Sequence, residues 1–114
     1  MGKKNFTRQT KLSTEEIIRL INDVENPTYP RCLLVNELGI IVDEEDNEDA
    51  REKLRELLNT EDECEQVKYA SYCWLCLTPK TEETLAALQV FMNNSENTEL
   101  VEMAAENNIH FHFN

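Results

Sequence analysis

The chain has 114 residues, a net charge of −12, two glycines and three prolines. That length makes one domain, able to bury about two-thirds of its unfolded surface. So few breakers exclude a protein of many short strands, which needs frequent turns. Lys3, Lys4, Arg8 and Lys11 precede the first acid, so from residue 15 onward 7 cations face 23 acids, a net of −16. A body of that sign does not bind nucleic acid directly through phosphates; it suits a basic protein partner.

No stretch approaches the ~20 apolar residues of a membrane helix, and the N-terminus lacks the apolar core of a secretion signal. Met1-Gly2 begins like a myristoylation site, but Phe6 stands where Ser or Thr is needed. The expectation is a cytoplasmic protein with no membrane contact, whose four cysteines stay reduced.

Residues 1–12 are expected to be a disordered basic tail, residues 13–108 a single all-helical domain, and residues 109–114 an extended C-terminal tail. Ser13 and Glu16 form the two halves of a capping box, followed by Ile17, Leu20, Ile21 and Val24 at helical spacing. Asn26-Pro27 ends this first helix. Pro30 suits the first turn of a second, Arg31 to Leu38, with Gly39 as its left-handed cap. Ile40, Ile41 and Val42 then make a short extended run.

Asp43 to Asp49 holds six acids in seven residues. The alternating ligands and turn glycine of a calcium loop are missing. The run is instead expected to be a solvated connector, its acids at the positive end of the next helix. That third helix, about Glu48 to Asn59, puts Ala50, Leu54, Leu57 and Leu58 inward, with Arg51, Glu52, Lys53, Arg55 and Glu56 on the other face.

The most apolar helix spans residues 65–77. Val67, Ala70, Trp74 and Leu77 form one stripe, and Tyr69, Tyr72, Cys73 and Cys76 a second beside it. A helix apolar nearly all round is covered on more than one side, so this one is expected at the centre. Thr78-Pro79 would open a fifth helix, with Leu85, Leu88, Phe91 and Met92 inward. Thr98 would start a sixth, with Leu100, Met103 and Ala104 inward.

A repeat underlies these elements. The patterns ending at Asn22, Asn59 and Asn93 align, with offsets of 37 and 34 residues. Eight residues beyond each asparagine stand Pro30, Val67 and Val101. A two-helix unit at this interval marks an α-solenoid. The chain here resembles HEAT repeats, in particular the short HEAT-like kind of phycobilisome-lyase-type proteins, on Glu65, Val67, Lys68 and Ala70. The resemblance implies that Val67 and Ala70 face the core and that Lys68 borders a concave surface. Pro30 and Leu33 in the first repeat, and Glu102 in the third, depart from the pattern. The expected fold is therefore all-α, six helices in three stacked hairpins, with an irregular six-helix bundle as the alternative.

No serine or cysteine nucleophile has a recognisable base nearby, and no glycine-rich phosphate loop exists. Cys73 and Cys76 would point the same way on a helix, and Cys64, Cys32, His110 or His112 would have to complete a metal site. A second closely spaced pair is missing, so these cysteines are expected to be core; no cofactor is expected. The leading expectation is a non-enzymatic protein-interaction module. Its partner contacts would draw on Lys68, Tyr72, Arg31 and the acids Asp43, Glu44, Glu45 and Asp46, and dimerisation or the terminal tail would cover the ends of so short a stack. Two other classes stand beside it: a small acidic inhibitor mimicking nucleic-acid charge, and a cysteine-dependent metal protein.

Overall fold

Ser13 begins the first helix, α1 (Thr14–Ile21), as its sequence requires. Its hydroxyl accepts from the Glu16 N–H at 3.1 Å, and the Glu16 carboxylate accepts from the Ser13 N–H at 2.9 Å. The computed structural model describes residues 7–23, 25 and 28–109, except for the side chains of residues 28 and 29. Val24 and Asn26-Pro27, expected in and after α1, lie outside the described residues.

The second helix, α2 (Thr28–Glu45), is more than twice the expected length. Gly39 does not cap it, because its backbone is not left-handed. Ile40, Ile41 and Val42, expected as an extended run, are helical and buried. Apolar residues fall all round this segment because α1, α3 and α4 each pack on it. A run of buried apolar residues does not separate helix from strand by pattern alone.

The acidic run is divided by this extension. Asp43, Glu44 and Glu45 form the last turn of α2, the negative end of its dipole, which is unfavourable for them. Asp46 turns the chain with a left-handed φ of 54°. Asn47 then caps α3 (Glu48–Asn59), its side chain accepting from Ala50 N–H at 2.9 Å. The connector is thus a tight corner rather than a loop, but Glu44 to Asp46 are exposed as expected, and Glu48 and Asp49 stand in the first turn of α3, at its positive end.

Within α3, Ala50, Leu54, Leu57 and Leu58 are buried as expected, but so are Arg51 and Lys53. Arg51, only 3 % exposed, is paired with Asp46 and Glu48. Lys53 donates to Asn22 and Glu56. Both Nη atoms of Arg51 and the Nζ of Lys53 find acceptors.

The fourth helix, α4 (Glu65–Leu77), packs against α2, α3, α5 and α6, which gives it the central position expected. Val67, Tyr72, Trp74, Leu75 and Cys76 are buried, and Tyr72 stacks on Phe91 with ring centroids 5.0 Å apart. Leu77, expected inward, is 51 % exposed. Thr78 ends α4, its hydroxyl donating to the Trp74 carbonyl at 2.7 Å. The next helix, α5 (Glu82–Asn93), is opened instead by Thr81, which accepts from Thr84 N–H.

A single 3-10 turn, Ser95–Asn97, leads into α6 (Thr98–Glu106), which buries Leu100 and Ala104 but leaves Met103 exposed. Asn108, with φ of 64°, closes α6: its own N–H donates to Ala105 O and that of Ile109 to Ala104 O. This double bond is the usual left-handed helix end, with Ile109 folded onto the core. His110 to Asn114 lie outside the described residues.

The protein is all-helical, with six α-helices and no strand among the described residues. Along one row α3 touches both α1 and α5; along the other α4 touches both α2 and α6. In addition α2 lies against α3, and α6 reaches α5 through the 3-10 turn.

Candidate functional site

The face of α2 carrying Pro30, Leu33, Leu34 and Ile40 borders a cavity of about 720 Å³. Leu20 of α1, Trp74 of α4 and Thr7, Gln9 and Thr10 of the N-terminal segment also line it. The lining is mostly apolar, with Asn36 and Glu37 as the polar groups from α2. A mainly apolar cavity of this volume, with few convergent polar groups, has the character of a binding site. Leu33 is 46 % exposed at its rim.

Two polar residues fix this groove. Asn36 Oδ1 accepts from the Trp74 indole N–H at 2.9 Å, holding the ring beside the cavity. Glu37, one residue on, faces the N-terminal segment. It accepts from Arg8 Nε at 2.7 Å, the Thr10 hydroxyl at 2.8 Å and the Gln9 N–H at 2.8 Å. Burial pushes the Glu37 carboxyl up, but the Gln9 N–H, Arg8 and Thr10 together hold it below the usual carboxylate value. It is ionised and saturated with donors, which does not suit a general acid. Residues 7–12, expected in the loose tail, are therefore a strap tied to α2; Met1 to Phe6 lie outside the described residues.

The partner residues expected from sequence are not brought together. Arg31 is engaged with Glu63 through two bonds of 2.8 Å and donates to the Ile21 carbonyl, joining α1, α2 and the α3–α4 turn. That bond to Arg31 chiefly holds the Glu63 carboxyl low. Asp43, Glu44 and Glu45 lie at the far end of α2, about 18–21 Å along the helix from Arg31 at 1.5 Å per residue, and Asp46 lies just beyond it. Tyr72 is 1 % exposed and cannot meet a partner; burial pushes its hydroxyl pKa up. Lys68 is half-buried, its Nζ 3.5 Å from the Glu61 carbonyl.

The thiols fall in two neighbourhoods. Cys64 influences Cys32 electrostatically beside the Arg31–Glu63 pair, and Cys73 influences Cys76 within α4. All four are free. Desolvation pushes Cys76 up to about 11 and raises Cys73 and Cys32 as well, which disfavours the thiolate a metal needs. Among the described residues no three His, Cys, Asp or Glu side chains gather as a metal site would require. His110 and His112 lie outside the described residues.

A second cavity, of about 400 Å³, lies between α1 and α3 and is lined by Glu15, Asp49, Glu52 and Glu56 around Lys53. Among the described residues no helix is long and apolar enough to cross a membrane. The groove residues Asn36 and Glu37 were not singled out from sequence. Ending the helix at Gly39 cut the stripe Pro30, Leu33, Leu34, Ile40 in two, and a continuous helix would have displayed it. Comparison with protein-family models, curated proteins and solved structures finds no match to this chain.

Proposed function

We propose that this chain is a non-enzymatic protein-interaction module that acts in the cytoplasm, a short HEAT-like stack of helical hairpins presenting the groove along α2 to another protein. The groove is the observation that carries the reading: a mainly apolar cavity of about 720 Å³ with an exposed leucine at its rim. Support for the stack comes from the row-wise contacts of odd- and even-numbered helices and from the 37- and 34-residue offsets in sequence. The saturated Glu37 carboxylate and the thiols raised by burial fit binding better than catalysis.

Affinity capture from the native source, comparing the full chain with Leu33→Asp by quantitative mass spectrometry, tests the proposal. Leu33 is exposed enough for the variant to keep the fold. A protein retained by the parent chain and lost with the variant is expected. The absence of any specific partner would overturn the module; identical sets from both chains would remove the groove from it.

A further inference from the structure

The strap grips α2 through one side chain. Glu37 is only 3 % exposed, yet its oxygens accept from the Arg8 guanidinium, the Thr10 hydroxyl and the backbone N–H groups of Gln9 and Thr10. Two of these four donors are the successive main-chain N–H groups of Gln9 and Thr10, which converge on one carboxylate because the chain bends at Gln9. The Gln9 side chain takes no part, since its amide donates to the Thr7 carbonyl. Recognition here therefore rests on a backbone bend, one basic side chain and one hydroxyl.

A carboxylate this buried is costly to leave without donors. Whatever displaces the strap must supply the same groups: main-chain N–H, a hydroxyl and a cation. Thr7, Gln9 and Glu37 line the same cavity as Leu33, Ile40 and Trp74, so the same segment would seat an apolar side chain near its basic one. The net of −16 from residue 15 onward draws such a segment in.

We propose that this groove receives a segment of a partner protein that bends as residues 7–10 do and carries adjacent basic and apolar residues, and that residues 7–10 hold the Glu37 end as a self-ligand which that segment replaces. The proposal rests on the interaction-module reading and specifies the chemistry of its partner.

The probe is a synthetic peptide of residues 5–12, Asn-Phe-Thr-Arg-Gln-Thr-Lys-Leu, added to the full chain carrying Arg8→Ala and Thr10→Ala. These changes loosen the strap and leave the receiving side chains untouched. Trp74 is the single tryptophan, so its indole N–H resonance and its fluorescence report on the groove alone. A saturable shift of that resonance is expected, weaker at high salt. Adding Glu37→Gln, or replacing the peptide's arginine with glutamate, should weaken binding about tenfold or more, as loss of a hydrogen-bonded charge implies. Leu33→Asp, at an exposed position, serves as the second variant should Glu37→Gln fail to fold, with loss of binding expected.

An unmoved Trp74 resonance at high peptide concentration would overturn the proposal, as would equal binding by the Glu37→Gln chain. So would dimerisation of the parent chain that moves Trp74, which would assign the groove to a second copy. A captured partner indifferent to Glu37→Gln and Leu33→Asp would leave the module reading standing and remove this site from it. Peptide binding without any captured partner would do the reverse.

Discussion

The indole of Trp74 occupies the space that a side chain on Gly39 would need: a Cβ built there falls inside the Trp74 ring. This close approach, rather than a turn, accounts for the glycine, and it joins α2 to α4 at a residue that lines the groove. Alanine ordinarily favours a helix interior over glycine by about 0.5–1 kcal/mol. Here overpacking against a rigid ring, at about 1–3 kcal/mol, should win. Gly39→Ala is expected to lower the melting temperature and shift Trp74 emission; a stabilised variant would show that the ring can retreat.

Tyr72 provides a contrast between core and surface. Stacked on Phe91 at the centre of the fold, it should lose about 3–5 kcal/mol on truncation to alanine. Tyr72→Phe keeps the ring and should stay within about 1 kcal/mol of the parent. Urea titrations of both variants check this. A surface anchor would give a small alanine effect, and that result would contradict its burial.

Glu37 and Glu63 make stability depend on pH in a definite sense. Both carboxyls titrate below their ordinary value in the fold, so their contribution is fully present above the unfolded value of about 4.3. It is lost as pH falls through the folded values. Glu63→Gln should cost about 2 kcal/mol at neutral pH, and the gap to the parent should narrow in acid. Thermal melts from neutral to acidic pH measure it; a constant gap would mean that the Arg31 pair does not hold the carboxylate.

The last turn of α2 offers a simple gain. Glu44 is exposed at the negative end of the helix dipole. Glu44→Lys should therefore stabilise by about 0.3–1 kcal/mol at low ionic strength, and less in salt. Were the acidic run the start of a helix, the same change would destabilise. Melting temperatures in low and high salt decide between the two.

Thiol chemistry separates the buried pair from a reactive one. With Cys76 pushed up to about 11 by burial and Cys73 raised as well, both should alkylate slowly near neutral pH and rapidly once the chain unfolds. Mass mapping of iodoacetamide adducts with and without denaturant tests this. Rapid labelling of Cys76 in the native protein would argue against its place in the core.

Local pattern determined much of this fold on its own. The capping box at Ser13, the inward face of α3 and the bounds of α4 each rest on residues within a few turns of one another, and all three stand in the structure as expected. Tertiary structure alone decided that α2 runs through Gly39, that Arg51 and Lys53 are buried, and that residues 7–12 fasten to Glu37. Residues distant in sequence take part in these outcomes, such as Trp74 lying across Gly39, Asn22 receiving Lys53 and Glu37 receiving Arg8. Periodicity within a helix says which residues share a face; it carries no information on what will be packed against that face, and it was this that placed the groove.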